Sequence, residues 1–141
     1  MEEIIQALIK ISDIQSDIDK NLRIVCLKII RKCIEMECPG ATKPASQWEV
    51  DDWGKYRDEI RKKQTMLIDL KVIPLLCNLI AFEPKLAIKE EALQVSIAIL
   101  LGGFNKSQLE FDSYIIRDER NLFLTSIKGM VSDAFDVIKK T

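Results

Sequence analysis

Most side-chain catalysis draws on a small set of residue types, and this chain lacks one of them outright, because it has no histidine. Ser-His-Asp and Cys-His triads are therefore out of reach within it. Carboxylate pairs remain at Asp51-Asp52 and Glu90-Glu91. Such sequence neighbours diverge on a helix, and acids near a helix beginning are already accounted for by the positive end of its dipole. The four cysteines, Cys26, Cys33, Cys38 and Cys77, show neither the Cys-x-x-Cys spacing of a zinc knuckle nor the close pairing of a disulfide framework. They read as reduced, mostly buried thiols in a cytosolic setting. Gly102-Gly103 has no strand before it and no Lys-Thr pair after it, which makes it a helix stop rather than a phosphate loop. No catalytic, cofactor-binding or metal-ligating residue is assigned, and no cofactor is expected.

Two features remain as candidates for binding. The basic run Arg61-Lys62-Lys63, with Lys55 and Arg57 nearby, has the charge to attract an anion or an acidic partner. Asp51, Asp52, Asp58 and Glu59 offset it, so it reads as a solvated helix face. Trp48 and Trp53 flank the acidic turn Glu49-Val50-Asp51-Asp52, an arrangement that suits a contact site. Trp53 is in phase with Tyr56 and Ile60, which favours packing over contact.

The elements that must carry these residues are helices. With 141 residues, 48% of them hydrophobic and 30% charged, the chain fits one domain with a real core and no general disorder. A net charge of −1 gives no pull toward nucleic acid. The opening MEEIIQALIK is acidic where a secretory leader would be basic. The longest apolar runs, Val72 to Phe82 and Val95 to Phe104, fall short of the roughly 20 residues that a bilayer requires, so a soluble segment without direct membrane insertion is expected.

Apolar residues at three- and four-residue spacing predict an opening helix through Ile4, Ile5, Leu8 and Ile11. A second spans about 20–37 through Leu22, Val25, Cys26, Ile29, Ile30, Cys33 and Met36. Cys38-Pro39-Gly40 ends it, and an irregular loop follows over about 38–50. A third helix from about Asp51 places Trp53, Tyr56, Ile60, Leu67 and Leu70 on one side. Then come two strongly apolar helices, LKVIPLLCNLIAF and EEALQVSIAILLGG, separated by a joint containing Pro84. In the second of these Leu93, Val95, Ile97, Ile99, Leu100 and Leu101 occupy several faces, which predicts a central helix covered on nearly every side. Ser107 and Glu110 have the spacing of a capping box. A final helix from about Glu119 carries Phe123, Ile127, Met130, Val131, Ala134, Phe135 and Ile138 in a stripe. The expectation is one all-α domain over 1–141, an armadillo/HEAT-like α-solenoid segment of about seven helices and part of a longer array.

Specific strings add a resemblance. LRIVCLKIIRKCIEME followed by PASQWEVDDW, then DLKVIPLLCNLIA, and above all EEALQVSIAILLGGFNKSQLEFDSYI with NLFLTSIKGMVSDAFDVIKK, resemble the helical-repeat region of inositol trisphosphate and ryanodine receptors. The likeness is closer to the inositol trisphosphate receptor side and runs from about Leu22 to the end. It implies a non-catalytic scaffold segment of a homotetrameric calcium-release channel, on the cytosolic face of the endoplasmic reticulum or another internal store. Its partners would be neighbouring repeats of the same chain and other subunits, and its task would be to transmit ligand-induced displacement toward the pore. The basic ligand-gripping repeat and the calcium sites of that family are not matched here, so no binding residue is carried over. The alternative is a free-standing armadillo-type protein-binding module. The inner-helix asparagine that such modules use is missing from ALQVSIAILL, and Asn78 lies one helix earlier. An enzyme is disfavoured by the missing histidine.

Overall fold

The computed structural model describes residues 2–14, 18–35, 45–47 and 49–140. Among these residues are seven α-helices: α1 (Glu2–Ser12), α2 (Lys20–Glu35), α3 (Val50–Asp69), α4 (Val72–Phe82), α5 (Leu86–Leu100), α6 (Asn105–Arg117) and α7 (Leu122–Lys140). A 3-10 turn at Ala45–Gln47 completes the set, with no strand. The all-α class predicted from periodicity is therefore observed. Met36, Cys38, Pro39, Gly40, Pro44 and Trp48, and with them most of the expected 38–50 loop, lie outside the described residues.

The joints follow from backbone chemistry. At the start of α3 the Asp52 carboxylate accepts the Glu49 N–H at 2.9 Å, satisfying a donor at the helix entrance. Lys71 takes a left-handed conformation (φ 66°), and α3 and α4 meet there at a bend of 70°. Pro74 falls in the first turn of α4, where its missing N–H costs nothing. Gly102 and Gly103, at φ 75° and 66°, stop α5 as expected. Before α7, Asn121 is also left-handed (φ 52°), and the Asp118 carboxylate accepts the Phe123 N–H at 2.9 Å. The Ser107-x-x-Glu110 pattern does not start α6. Phe104 holds the cap position, and Ser107 is buried one turn inside the helix.

From α2 onward each helix packs on the third helix after it: α2 on α5, α3 on α6 and α4 on α7. Sequential neighbours also touch, as α1 does α2 and α4 does α5. A three-helix period of this kind is the stacking of an armadillo-like solenoid.

The centre of the stack is α4, not α5. Val72, Ile73, Leu75, Leu76, Cys77, Leu79 and Ile80 are all buried, and α4 contacts α3, α5, α6 and α7. The expectation that α5 is covered on nearly every side fails at Ile97, which is 54% exposed on the face it shares with Leu86 and Leu101. Val95, Ala98 and Ile99 on the opposite side are buried. In α2 the buried set is Arg23, Cys26, Leu27, Ile30 and Ile34, while Leu22, Val25 and Ile29 are exposed. Apolar residues all round a helix show that it can be covered, whereas coverage depends on which neighbours the chain supplies. The α7 stripe is likewise used only at its beginning, with Phe123 buried and Ile127 and Met130 half-buried. No helix among the described residues is long and apolar enough to cross a membrane.

Candidate functional site

Charge is buried where α2 meets the joint between α4 and α5. Arg23 Nη2 donates to Glu83 Oε2 at 2.6 Å, and both side chains are at most 5% exposed. Glu83 ends α4, and its other carboxylate oxygen accepts the Lys85 N–H at 3.3 Å. Eight residues further along each strand of sequence, Arg31 Nε lies 3.2 Å from Glu91 Oε1. Both pairs ascend together, so α2 and α5 run in the same direction. Burying two charges requires removing them from water, which offsets much of the Coulomb attraction. A pair in this setting is better suited to specifying how helices align than to adding net stability.

A second polar cluster closes the C-terminal end of α5. Gln64 on α3 is fully buried, and its Nε2 donates to the carbonyls of Ala98 and Leu101 at 3.2 and 3.0 Å. One turn earlier, Arg61 Nη2 donates to the Gly102 carbonyl at 2.9 Å while its guanidinium lies 4.6 Å from the centre of the Phe104 ring. These groups supply side-chain donors to carbonyls at the end of the helix, where Ala98 also accepts the Leu101 N–H, and the cation suits the negative end of the dipole. The basic run therefore separates. Arg61 caps a neighbouring helix, Lys62 lies 3.3 Å from Glu59, and Lys63 approaches Cys33 closely enough to oppose the rise of that thiol's pKa.

The acid pairs also have structural tasks. Asp52 caps α3, Glu91 pairs with Arg31, and Asp51 and Glu90 are exposed. Burial pushes the Cys77 thiol up to about 12, with the negative charge of Asp118 adding to the rise. Cys26 and Cys33 are raised by burial as well. Thiols held in the protonated form are poor nucleophiles and poor metal ligands. Tyr114 is raised first by burial and then by Cys77 and Asp118, and its hydroxyl donates to Asn78 Oδ1 at 2.8 Å. Asn78 thus has its side-chain acceptor engaged by α6. No group of three or more His, Cys, Asp or Glu side chains among the described residues is placed to hold a metal ion.

An open groove of about 1030 Å³ runs along the first half of α3 and the end of α5, lined by Trp53, Tyr56, Arg57, Arg61, Leu101 and others. Trp53 is 49% exposed with its ring edge-on to Tyr56 at 6.2 Å, so it belongs to this rim rather than to the core. Its phase with Tyr56 and Ile60 was legible, but a helix phase continues past the edge of the body that covers it.

Fold and clusters together define a helical stack whose buried polar groups hold one helix to another. No protein-family model, no curated protein and no solved structure matches the chain.

Proposed function

We propose that this chain is a non-catalytic scaffold segment that passes displacement from one end of a helical stack to the other. The observation that carries the reading is the pair of ion contacts by which α2 holds the α4–α5 joint and α5 itself, Arg23–Glu83 and Arg31–Glu91. Together with the cap from Gln64, they direct buried polar side chains of neighbouring helices toward one another. The strings from Leu22 to the C-terminus support a finer placement: the cytosolic solenoid of an inositol trisphosphate receptor-like calcium-release channel at an internal store membrane, stacked against neighbouring repeats and subunits. In such a channel Glu83→Gln is the probe, because it removes the charge that answers Arg23 without shortening the side chain. Ligand affinity should change little, with only the reciprocal part of the coupling lost, while maximal calcium release falls. Normal release from a folded, assembled variant would end the transmission reading.

A second reading, a free-standing armadillo-type binding module, is favoured by the groove beside Trp53, Tyr56 and Arg57. Its test is Trp53→Ala in a peptide-binding screen. The reading requires a peptide ligand whose binding the substitution removes.

A further inference from the structure

The three-helix period makes α2–α4 and α5–α7 two successive units of one stack, and side chains correspond between them. Arg23 is the fourth residue of α2 and reaches Glu83 at the end of α4. Lys89 is the fourth residue of α5 and donates to Ser126 of α7 at 2.9 Å. Each first helix is thus tied, at the same position, to the third helix of its own unit. Counting on from there, Leu27, Arg31 and Ile34 of α2 correspond to Leu93, Ile97 and Leu100 of α5. The α2 set lies on the side turned to α5, where Leu27 and Ile34 are 0% exposed and Arg31 meets Glu91. On α5 the same positions are uncovered, with Leu93 and Leu100 half-buried and Ile97 54% exposed. The other two helices of the second unit repeat the contrast. Leu109 and Ile116 form an exposed apolar line on α6, opposite buried Ser107 and Phe111, and Leu124 and Val131 form one on α7.

We infer that a third unit of the same polypeptide, following α7, covers this side, with its first helix packed on α5 as α5 is packed on α2. Three observations select that occupant. Open apolar positions lie on all three helices of the second unit, whereas α2, α3 and α4 are each covered by their counterparts, so the missing cover has three helices and not one. Next, α7 packs on α4 and stands in the place of a helix that leads into a following unit, as α4 leads into α5. Finally, a second copy of this chain would bring its own α1, which leads into its α2 and packs on it, to the place that α7 already fills. The chemistry of the incoming helix also follows. Glu91, the sixth residue of α5, answers Arg31, the twelfth of α2. The twelfth residue of α5 is Ile97, so the sixth of the new helix is apolar, because a carboxylate there would lose its water without gaining a counter-charge. This inference rests on the stacked-scaffold reading and is independent of the channel assignment.

The test uses the whole protein as its own cells make it. Ile97→Cys should be alkylated at least about tenfold more slowly than Lys62→Cys, as for a site reached only by local opening. Folding should be retained in both variants, because neither side chain is buried by the seven helices. With photoreactive p-benzoylphenylalanine in place of Ile97, mass spectrometry should find the cross-link within the same polypeptide, on a helix after residue 140 and beside an apolar sixth residue. Equal alkylation of the two cysteines shows that side to be open and overturns the inference. So does a cross-link to residues 1–140 of a second copy, to another protein or to a helix with a carboxylate at that place, or no cross-link at all. Normal calcium release from Glu83→Gln would end the transmission reading and leave each of these outcomes unchanged, so the two failures are distinguishable.

Discussion

Replacing Glu83 by Gln keeps the side chain's length and one hydrogen-bond acceptor but withdraws the charge facing Arg23. The guanidinium is then left in a site where its residue is 4% exposed. Removing one member of a buried ion pair costs about 3–5 kcal/mol, because the surviving charge keeps its desolvation penalty without the attraction that offset it. The lower end of that range applies here, since Gln can still accept from Arg23 Nη2, so a loss of about 3 kcal/mol is expected in urea-induced unfolding. The comparison within the molecule sharpens the number. Arg31 and Glu91 have side chains 20% and 10% exposed, so Glu91→Gln should lose less. Lys106–Asp69, at 44% and 63%, is an exposed pair whose removal should be near the limit of detection. Arg23→Met combined with Glu83→Leu should recover most of the loss, as replacing both buried charges by apolar groups often does. Equality of Glu83→Gln and Asp69→Asn, both within about 0.5 kcal/mol of the parent, would refute the claim that this pair is shielded from water.

Ile99→Ala in the buried face of α5 should lower stability by about 2–5 kcal/mol, whereas Ile97→Ala, two residues away, should stay within about 0.5 kcal/mol by the same denaturation assay. Gln64→Leu removes the Nε2 donor shared by the Ala98 and Leu101 carbonyls while Ala98 keeps the Leu101 N–H, so a cost of about 1 kcal/mol is expected, with earlier amide exchange at the end of α5. Cys77 should resist alkylation at pH 8 in the native chain and react once unfolded. Its folded pKa of about 12 lies above the ordinary 9.0, so above pH 9 the unfolded state gives up the proton first. The stability contribution is complete below pH 9 and declines as pH rises toward 12.

Helix number, the principal joints and the all-α class were legible because each rests on local signals: apolar spacing, Pro74 and Pro84, and Gly102-Gly103. What escaped was the choice of partner. Ile97 and Leu101 make α5 look enclosed, yet α4 holds the centre, because burial depends on neighbours that arrive from distant sequence. Arg23 reads as one more charge on an amphipathic helix, and its counter-ion is Glu83, sixty residues on. Gln64 carries no signal of its own, since a polar residue among Ile60, Leu67 and Ile68 looks like a break in a stripe until the end of α5 is placed against it. Ser107-x-x-Glu110 shows the converse: a local pattern can be present where the chain has already entered the helix one turn earlier.

Two ion contacts eight residues apart on α2, answered by Glu83 in the joint before α5 and by Glu91 within α5, do something that one contact cannot. On α2, eight residues is about 12 Å along the helix and, at 3.6 residues per turn, about 80° around it. One contact can act as a pivot, about which α5 is free to roll or to slide by a helical step while burying much the same apolar area. Two contacts at different heights and different azimuths remove both freedoms at once, because any slip strands four charges rather than two. The α2–α5 pair therefore behaves as a keyed shaft: a push or a twist applied to one helix is delivered to the other with little lost motion.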